Sequence, residues 1–223
     1  MTTAQALLVF DVLQDQYGAP YFPEDWKLKL FNMAQLEVLN RMVPDTIGGT
    51  TNFEYDSNVF SNLSPLVFTI DTTLNNSSES QILYSTMETL VRAQSGDSGA
   101  TIFRIIRVAC LANGVVVPVF YTPYNKSYSY ETNVFKKGSI TEPRWSFINT
   151  SGNRAIVVYP YRTGNVTLSI IKSPKVLTSG NTPDWDDYVM NQVILQALKL
   201  AGIAINDTQE IQNVLQAGIQ SGQ

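Results

Sequence analysis

The sequence predicts an α+β protein in which N- and C-terminal helices form one helical layer and the segment between them a central antiparallel, sandwich-like β-domain. Two observations carry this. Apolar residues recur at helical spacing near both chain ends, whereas the stretch from Ala100 to Pro174 reads as a series of short apolar runs separated by turn residues. Each terminal segment has an apolar stripe that needs a partner, and pairing the two ends buries both.

The first helix uses Ala6, Val9, Phe10, Leu13 and Tyr17, with Thr2 or Thr3 as its cap, and ends at Gly18 and Pro20. The second opens with Pro23 at a first-turn position, with Glu24 and Asp25 near the positive end of its dipole, and closes with Arg41 before Pro44. Its apolar residues, among them Trp26, Leu30, Phe31, Met33, Leu36 and Leu39, occupy more than one stripe. Such a helix is either enclosed in a core or packed between subunits. Thr46 to Asn58 reads as a linker, Leu66 to Ile70 as a first strand, and Asn75 to Ser80 as a loop. Gln81 to Arg92 fits neither period cleanly and is assigned to strand.

In the central stretch, Asn113-Gly114 between two apolar runs predicts a hairpin, because this dipeptide tolerates positive φ. A second strand pair is expected from Ala155 to Tyr159 and Val166 to Ile171 around a turn with Gly164 and Asn165. In the Ile102 to Leu111 run, alternation places Ile102, Ile106, Val108 and Cys110 on one face, and Phe103, Ile105, Ala109 and Leu111 on the other. Both faces being apolar, this strand should be central or covered. Near the C-terminus, Thr182 and Pro183 are expected to start a helix whose stripe is Met190, Val193, Ile194, Ala197, Leu200 and Ala201, ending at Gly202. A last helix is expected from Asp207. The resulting division is 1–45 for the N-terminal helices, 46–177 for the β-domain, and 178–223 for the C-terminal helices.

Composition narrows function more by exclusion than by assertion. The chain contains no histidine, which removes the usual general base, the His-assisted triads and most zinc sites. It has no phosphate-binding glycine loop and no nucleophile elbow, and its acids cluster at helix starts, where dipole and capping roles account for them. Cys110, the single cysteine, sits in an apolar strand and reads as an inert buried thiol. No catalytic residue, metal site or cofactor is expected, and the protein is read as a non-enzyme. A net charge of -4 without basic blocks argues against nucleic-acid affinity. Neither a signal peptide nor a membrane span is expected. Charged residues make up 15%, low for a soluble monomer, and the surface is rich in Ser, Thr, Asn and Gln, which suits a large assembly.

The segment from Tyr121 to Pro143 exceeds the usual connection length and is rich in tyrosine, so it reads as a functional arm or as a short helix. Tyr121, Tyr124, Tyr128, Tyr130, Phe135 and Trp145 are the candidate subunit or ring interface, because large rigid aromatics suit protein contacts. The same aromatics suit stacking on sugar rings, so a carbohydrate- or receptor-binding β-module of a phage or bacterial surface is the alternative.

Three stretches carry a family likeness: VPVFYTPYNKSYSYETNVFKKGSITEPRWSFI (Val117 to Ile148), SIIKSPKVL (Ser169 to Leu177) and DWDDYVMNQVILQALKLAGIAI (Asp184 to Ile205). With the order of helices and strands, they resemble the neck and head-to-tail adaptor (ring) proteins of tailed bacteriophages, closest to those of short-tailed crAss-like phages. The resemblance rests on these three stretches, 63 of the 223 residues, as a pattern of aromatics and prolines. It implies a virion structural subunit, made in the host cytoplasm, that repeats around the portal axis as a ring, a dodecamer by resemblance. Such a ring contacts the portal protein and a tail or second ring protein, links capsid to tail, and lines part of a channel through which DNA passes without specific binding. No membrane is involved.

Overall fold

The computed structural model describes residues 1–43, 61–74, 81–112, 115–123, 142–150, 152–159 and 164–203. The expected linker, the loop after Leu74, the Asn113-Gly114 turn, most of the aromatic arm and the last helix lie outside them. The fold is α+β, with helices drawn from both chain ends and a central, mostly antiparallel sheet. Among the described residues, 1–43, 61–65 and 174–203 pack as a helical unit, and those from 66 to 173 as a β-unit.

In the helical unit, α1 (Thr3–Gln16) starts with a reciprocal cap: the Gln5 N–H donates to Thr2 Oγ1 and the Thr2 N–H to Gln5 Oε1. It packs on α2 (Glu24–Met42) through Phe10 and Phe31, whose rings meet edge to face at 5.5 Å. Beside them the buried Lys27 donates to Asp11 and lies 4.3 Å from the centre of the Tyr21 ring. The C-terminal helix α4 (Asp187–Leu200) packs against both α1 and α2, burying Val189, Met190, Val193, Ile194, Ala197 and Leu198. It starts later than expected. Asp186, not Thr182, is the cap, accepting from the Val189 N–H at 2.8 Å. Leu200 and Ala201 are only half-buried, so the stripe ends at Leu198.

Side-chain amides on α2 hold the returning chain. Asn32 accepts the Leu177 N–H (2.7 Å) and donates to the Leu177 carbonyl (3.2 Å), pairing with the backbone much as a neighbouring strand would. One turn on, Gln35 donates to Asn32 Oδ1 and to the Lys175 carbonyl, and accepts the indole N–H of the buried Trp185 at 3.0 Å. A helix places residues three apart on one face, so the two amides act together.

The β-unit is a seven-stranded sheet in the order β1-β7-β3-β4-β5-β6-β2. The strands are β1 (Val67–Leu74), β2 (Gln81–Leu83), β3 (Ile102–Ala112), β4 (Val115–Tyr121), β5 (Arg144–Thr150), β6 (Asn153–Tyr159) and β7 (Gly164–Lys172). The sheet curls into a nearly closed, barrel-like sandwich in which edge strands β1 and β2 approach each other. The expected pairing of β6 with β7 does not occur. Instead β6 pairs with β5 and β2, and β7 with β1 and β3. The tight turn lies one strand earlier, where Thr150 pairs with Asn153 around Gly152 at φ +80°.

Two further expectations change. Residues 81–92 are not one strand, since β2 stops at Leu83 and α3 (Tyr84–Ser95) follows. Tyr84, Met87, Leu90 and Val91 form a helical stripe, and including Ile82 of the strand obscures the period. The helix ends at Gly96, which adopts φ +67° as its left-handed cap. It touches β1, β2, β3 and β6, and its Met87 and Val91 join Ile70, Ile156 and Leu168 in one core cluster.

In β3, register shifts lie between Ile102 and Arg104 and between Ile105 and Arg107. Each resets the alternation, so Ile102, Ile105, Val108 and Cys110 all belong to the core. Ile105 therefore lies on the opposite face from the one simple alternation gives it. β3 is central, between β7 and β4.

Replacing Gln35 by leucine leaves the Trp185 indole N–H buried without an acceptor, and the expected loss is about 1–3 kcal/mol in urea unfolding. Met87→Ala, which opens a cavity under α3, is expected to cost about 2–5 kcal/mol in the same measurement.

Candidate functional site

The polar groups that the sequence offers for chemistry are occupied structurally. Asp184 accepts the Lys175 N–H at 2.8 Å, Asp97 accepts the Gly99 N–H at 3.0 Å and lies 4.0 Å from the buried Lys172 ammonium, and Asp71 accepts the Thr167 hydroxyl at 2.6 Å. Glu24, Asp25 and Asp187 stand in the first turns of their helices. Among the described residues no three His, Cys, Asp or Glu side chains come together as a metal site. Cys110 is buried in β3, and burial pushes its thiol up to about 11, which suppresses the nucleophilic thiolate. Burial likewise raises the phenol of Tyr84, with Glu88 adding to the shift and Arg154 opposing it.

Of the aromatic candidates, Tyr124, Tyr128, Tyr130 and Phe135 lie outside the described residues. Tyr121 is half-buried and Trp145 only 5% exposed. Their rings pack at 4.9 Å, Phe147 meets Trp145 at 5.0 Å, and Tyr84 reaches Phe147 from α3. The ring of Trp145 is thus spent inside the β-unit.

The strands beside this cluster explain the length of the connection that follows Tyr121. β4 and β5 pair in parallel, through Phe120 with Arg144 and Tyr121 with Trp145, whereas the other strand pairs are antiparallel. A parallel pair needs a crossover of a dozen or more residues, so residues 122–143 are long for a topological reason independent of any partner.

Among the described residues, uncovered apolar surface occurs elsewhere, on α1 at Leu8 and Val12 (65 and 48% exposed) and more extensively on α2 and on the β3–β4 hairpin. On α2, Trp26, Met33 and Leu36 are 58, 55 and 45% exposed. Their spacing sets them along one side of the helix, opposite the buried Phe31, Ala34 and Val38. Of the two readings that the breadth of this helix allows, full enclosure in the core is therefore excluded.

The second surface is the outer face of the β3–β4 hairpin. Leu111 pairs with Val116 and Ala109 with Pro118, while Val116, Pro118 and Phe120 alternate onto the same side. Leu111, Val116 and Phe120 are 46, 59 and 53% exposed. The neighbouring strands show Thr167, Ser169, Thr69 and Asp71 in the corresponding positions, so the apolar patch is confined to the hairpin. Sequence reasoning passed over it, although a signal was present: no charged residue stands between Arg107 and Lys126.

The outer edge of β4 has a specific backbone chemistry. The Phe120 N–H donates to the Pro143 carbonyl (2.9 Å) and the Thr122 N–H to the Trp145 carbonyl (2.8 Å), so alternate residues face β5. Two residues back, the same edge position is Pro118, which has no N–H, and the pairing toward β5 stops there.

No protein-family model matches this sequence, and no curated protein matches it.

The Cys110 shift makes stability fall with rising pH. Between about pH 9 and 11 the unfolded thiol ionises while the folded one stays protonated, so up to about 2–3 kcal/mol is expected to be lost across that window. Urea unfolding of the native chain and of Cys110→Ala at pH 8 and pH 10.5 checks this, the variant being expected to show the shallower pH slope.

Proposed function

We propose that this chain is a non-enzymatic structural protein of a phage virion, a ring-forming subunit of the portal–tail junction that links capsid to tail and forms part of the DNA channel. The observation that carries the reading is that both the helical unit and the β-unit leave apolar surface uncovered. A subunit repeating in a ring touches two neighbours through different faces, and each face needs apolar area of this kind. The low charge content and the placement of the acids in caps and turns agree with it. So does the likeness of Val117 to Ile148, Ser169 to Leu177 and Asp184 to Ile205 to head-to-tail adaptors. The partners are further copies of the chain, in a dodecamer by that likeness, the portal, and a tail or second ring protein. The net charge of -4 suits a conduit through which DNA slides, because few phosphate contacts form.

Electron microscopy of particles made with and without the protein tests the reading. Particles lacking it are expected to be heads without attached tails, and purified protein is expected to add a ring to isolated portals. Tailed, infectious particles formed in its absence would refute the assignment.

A further inference from the structure

We infer that the exposed apolar faces of α2 and of the β3–β4 hairpin are the two halves of one head-to-tail contact, in which the hairpin of one copy docks on the α2 stripe of the next. The occupant of each surface is thus a second copy of this chain. Three features argue for it. The surfaces match in length: Trp26 to Leu36 spans about 15 Å of helix at about 1.5 Å per residue, and Val116 to Phe120 about 14 Å of strand at about 3.4 Å per residue.

Their rims are complementary in charge. Exposed Arg107, paired with Ser169 on the outer face of the sheet, flanks the Phe120 end of the hairpin. Exposed Glu24 and Asp25 flank the Trp26 end of α2, while exposed Lys29 lies further along the stripe, between Trp26 and Met33, and leaves that end net acidic. Setting Trp26 over Phe120 therefore also brings these opposite charges together, which fixes the polarity of docking.

The alternative, strand-to-strand pairing of two β4 edges, is disfavoured by Pro118, which removes a donor from the edge such a pairing would use. Pairing each surface with its own copy would also need two separate interfaces to cover what one head-to-tail contact covers. A contact between unlike faces leaves one of each kind free at the ends of any chain of copies, so it propagates until it closes. A few half-exposed side chains on each side fall short of the roughly 800 Å² per partner that a standard interface buries. An isolated pair is accordingly weak, and a closed ring, in which every copy makes two such contacts, is the stable form. The inference rests on the proposed ring only for that closure.

Sedimentation velocity over a concentration series tests the contact with the full chain and two surface variants, Met33→Glu and Phe120→Glu, each first shown by circular dichroism to melt as the native protein does. The native chain is expected to form species larger than dimers as concentration rises, and each variant alone to associate at least tenfold more weakly. An equimolar mixture of the two is expected to give a one-to-one pair and nothing larger, because one intact surface of each kind remains. Arg107→Glu should weaken association, and combining it with Glu24→Lys and Asp25→Lys should restore it. A native chain that stays monomeric, a variant that assembles as the native chain does, or a mixture that yields no pair would overturn the head-to-tail contact. Absence of the protein from purified virions, with the mixture still pairing, would remove the virion reading and leave this contact standing.

Discussion

The helical unit depends on two amides on one face of α2. Asn32 and Gln35 sit three residues apart and satisfy the backbone at Leu177, the carbonyl of Lys175 and the indole of Trp185. Each partner lies about 140 to 150 residues away in the chain, a separation whose closure is entropically costly. Apolar burial of α4 against α1 and α2 supplies most of the attraction, but it is not directional. The amides supply direction: they accept only a chain that arrives in one register, because a displaced segment leaves buried donors unpaired. The N-terminus is tied to the same returning segment. Thr3 donates through both its N–H and its hydroxyl to the Asn181 carbonyl, and Asn181 in turn holds Val176 and Thr178.

The β-unit solves a different problem, that of an open sheet with two edges. Curling brings the edge strands β1 and β2 together, and α3 packs across β1, β2, β3 and β6. Bulges in β3 contribute the bend, as they do where sheets curl toward closure. They also let a single strand feed Ile102, Ile105, Val108 and Cys110 to one core while Arg107 points outward.

The two layers of the fold were legible because periodicity reports burial directly. A threonine cap at Thr2 or Thr3 and the acids at the start of α2 could be read residue by residue, as could the hairpin around Asn113-Gly114, whose flanks Ala112 and Val115 pair as expected; the reciprocal bond from Gln5 that settles the cap on Thr2 could not. What failed was non-local. The bulges are invisible to any rule of alternation, and the pairing of β6 with β7 rests on adjacency in sequence, whereas the sheet sets β3, β4 and β5 between them. The parallel pair β4–β5 gives the length of the connection after Tyr121 a topological reason that the sequence does not show. For the candidate site, the two-faced character of α2 was legible and the hairpin patch was not. An apolar strand looks the same in sequence whether a neighbour covers it or not.

Pro118 bears on the life of the chain before it is folded. The run from Val115 to Tyr121 is apolar, rich in β-branched residues and uncharged, the composition of segments that stack into cross-β aggregates. A proline in its middle cannot continue a hydrogen-bonded ladder, so identical segments from neighbouring nascent chains lose the uninterrupted register that such stacking needs. The residue that ends pairing at the β4 edge is thus also a gatekeeper during synthesis. It lets the sequence keep an apolar hairpin at high local concentration with a lower risk of precipitation.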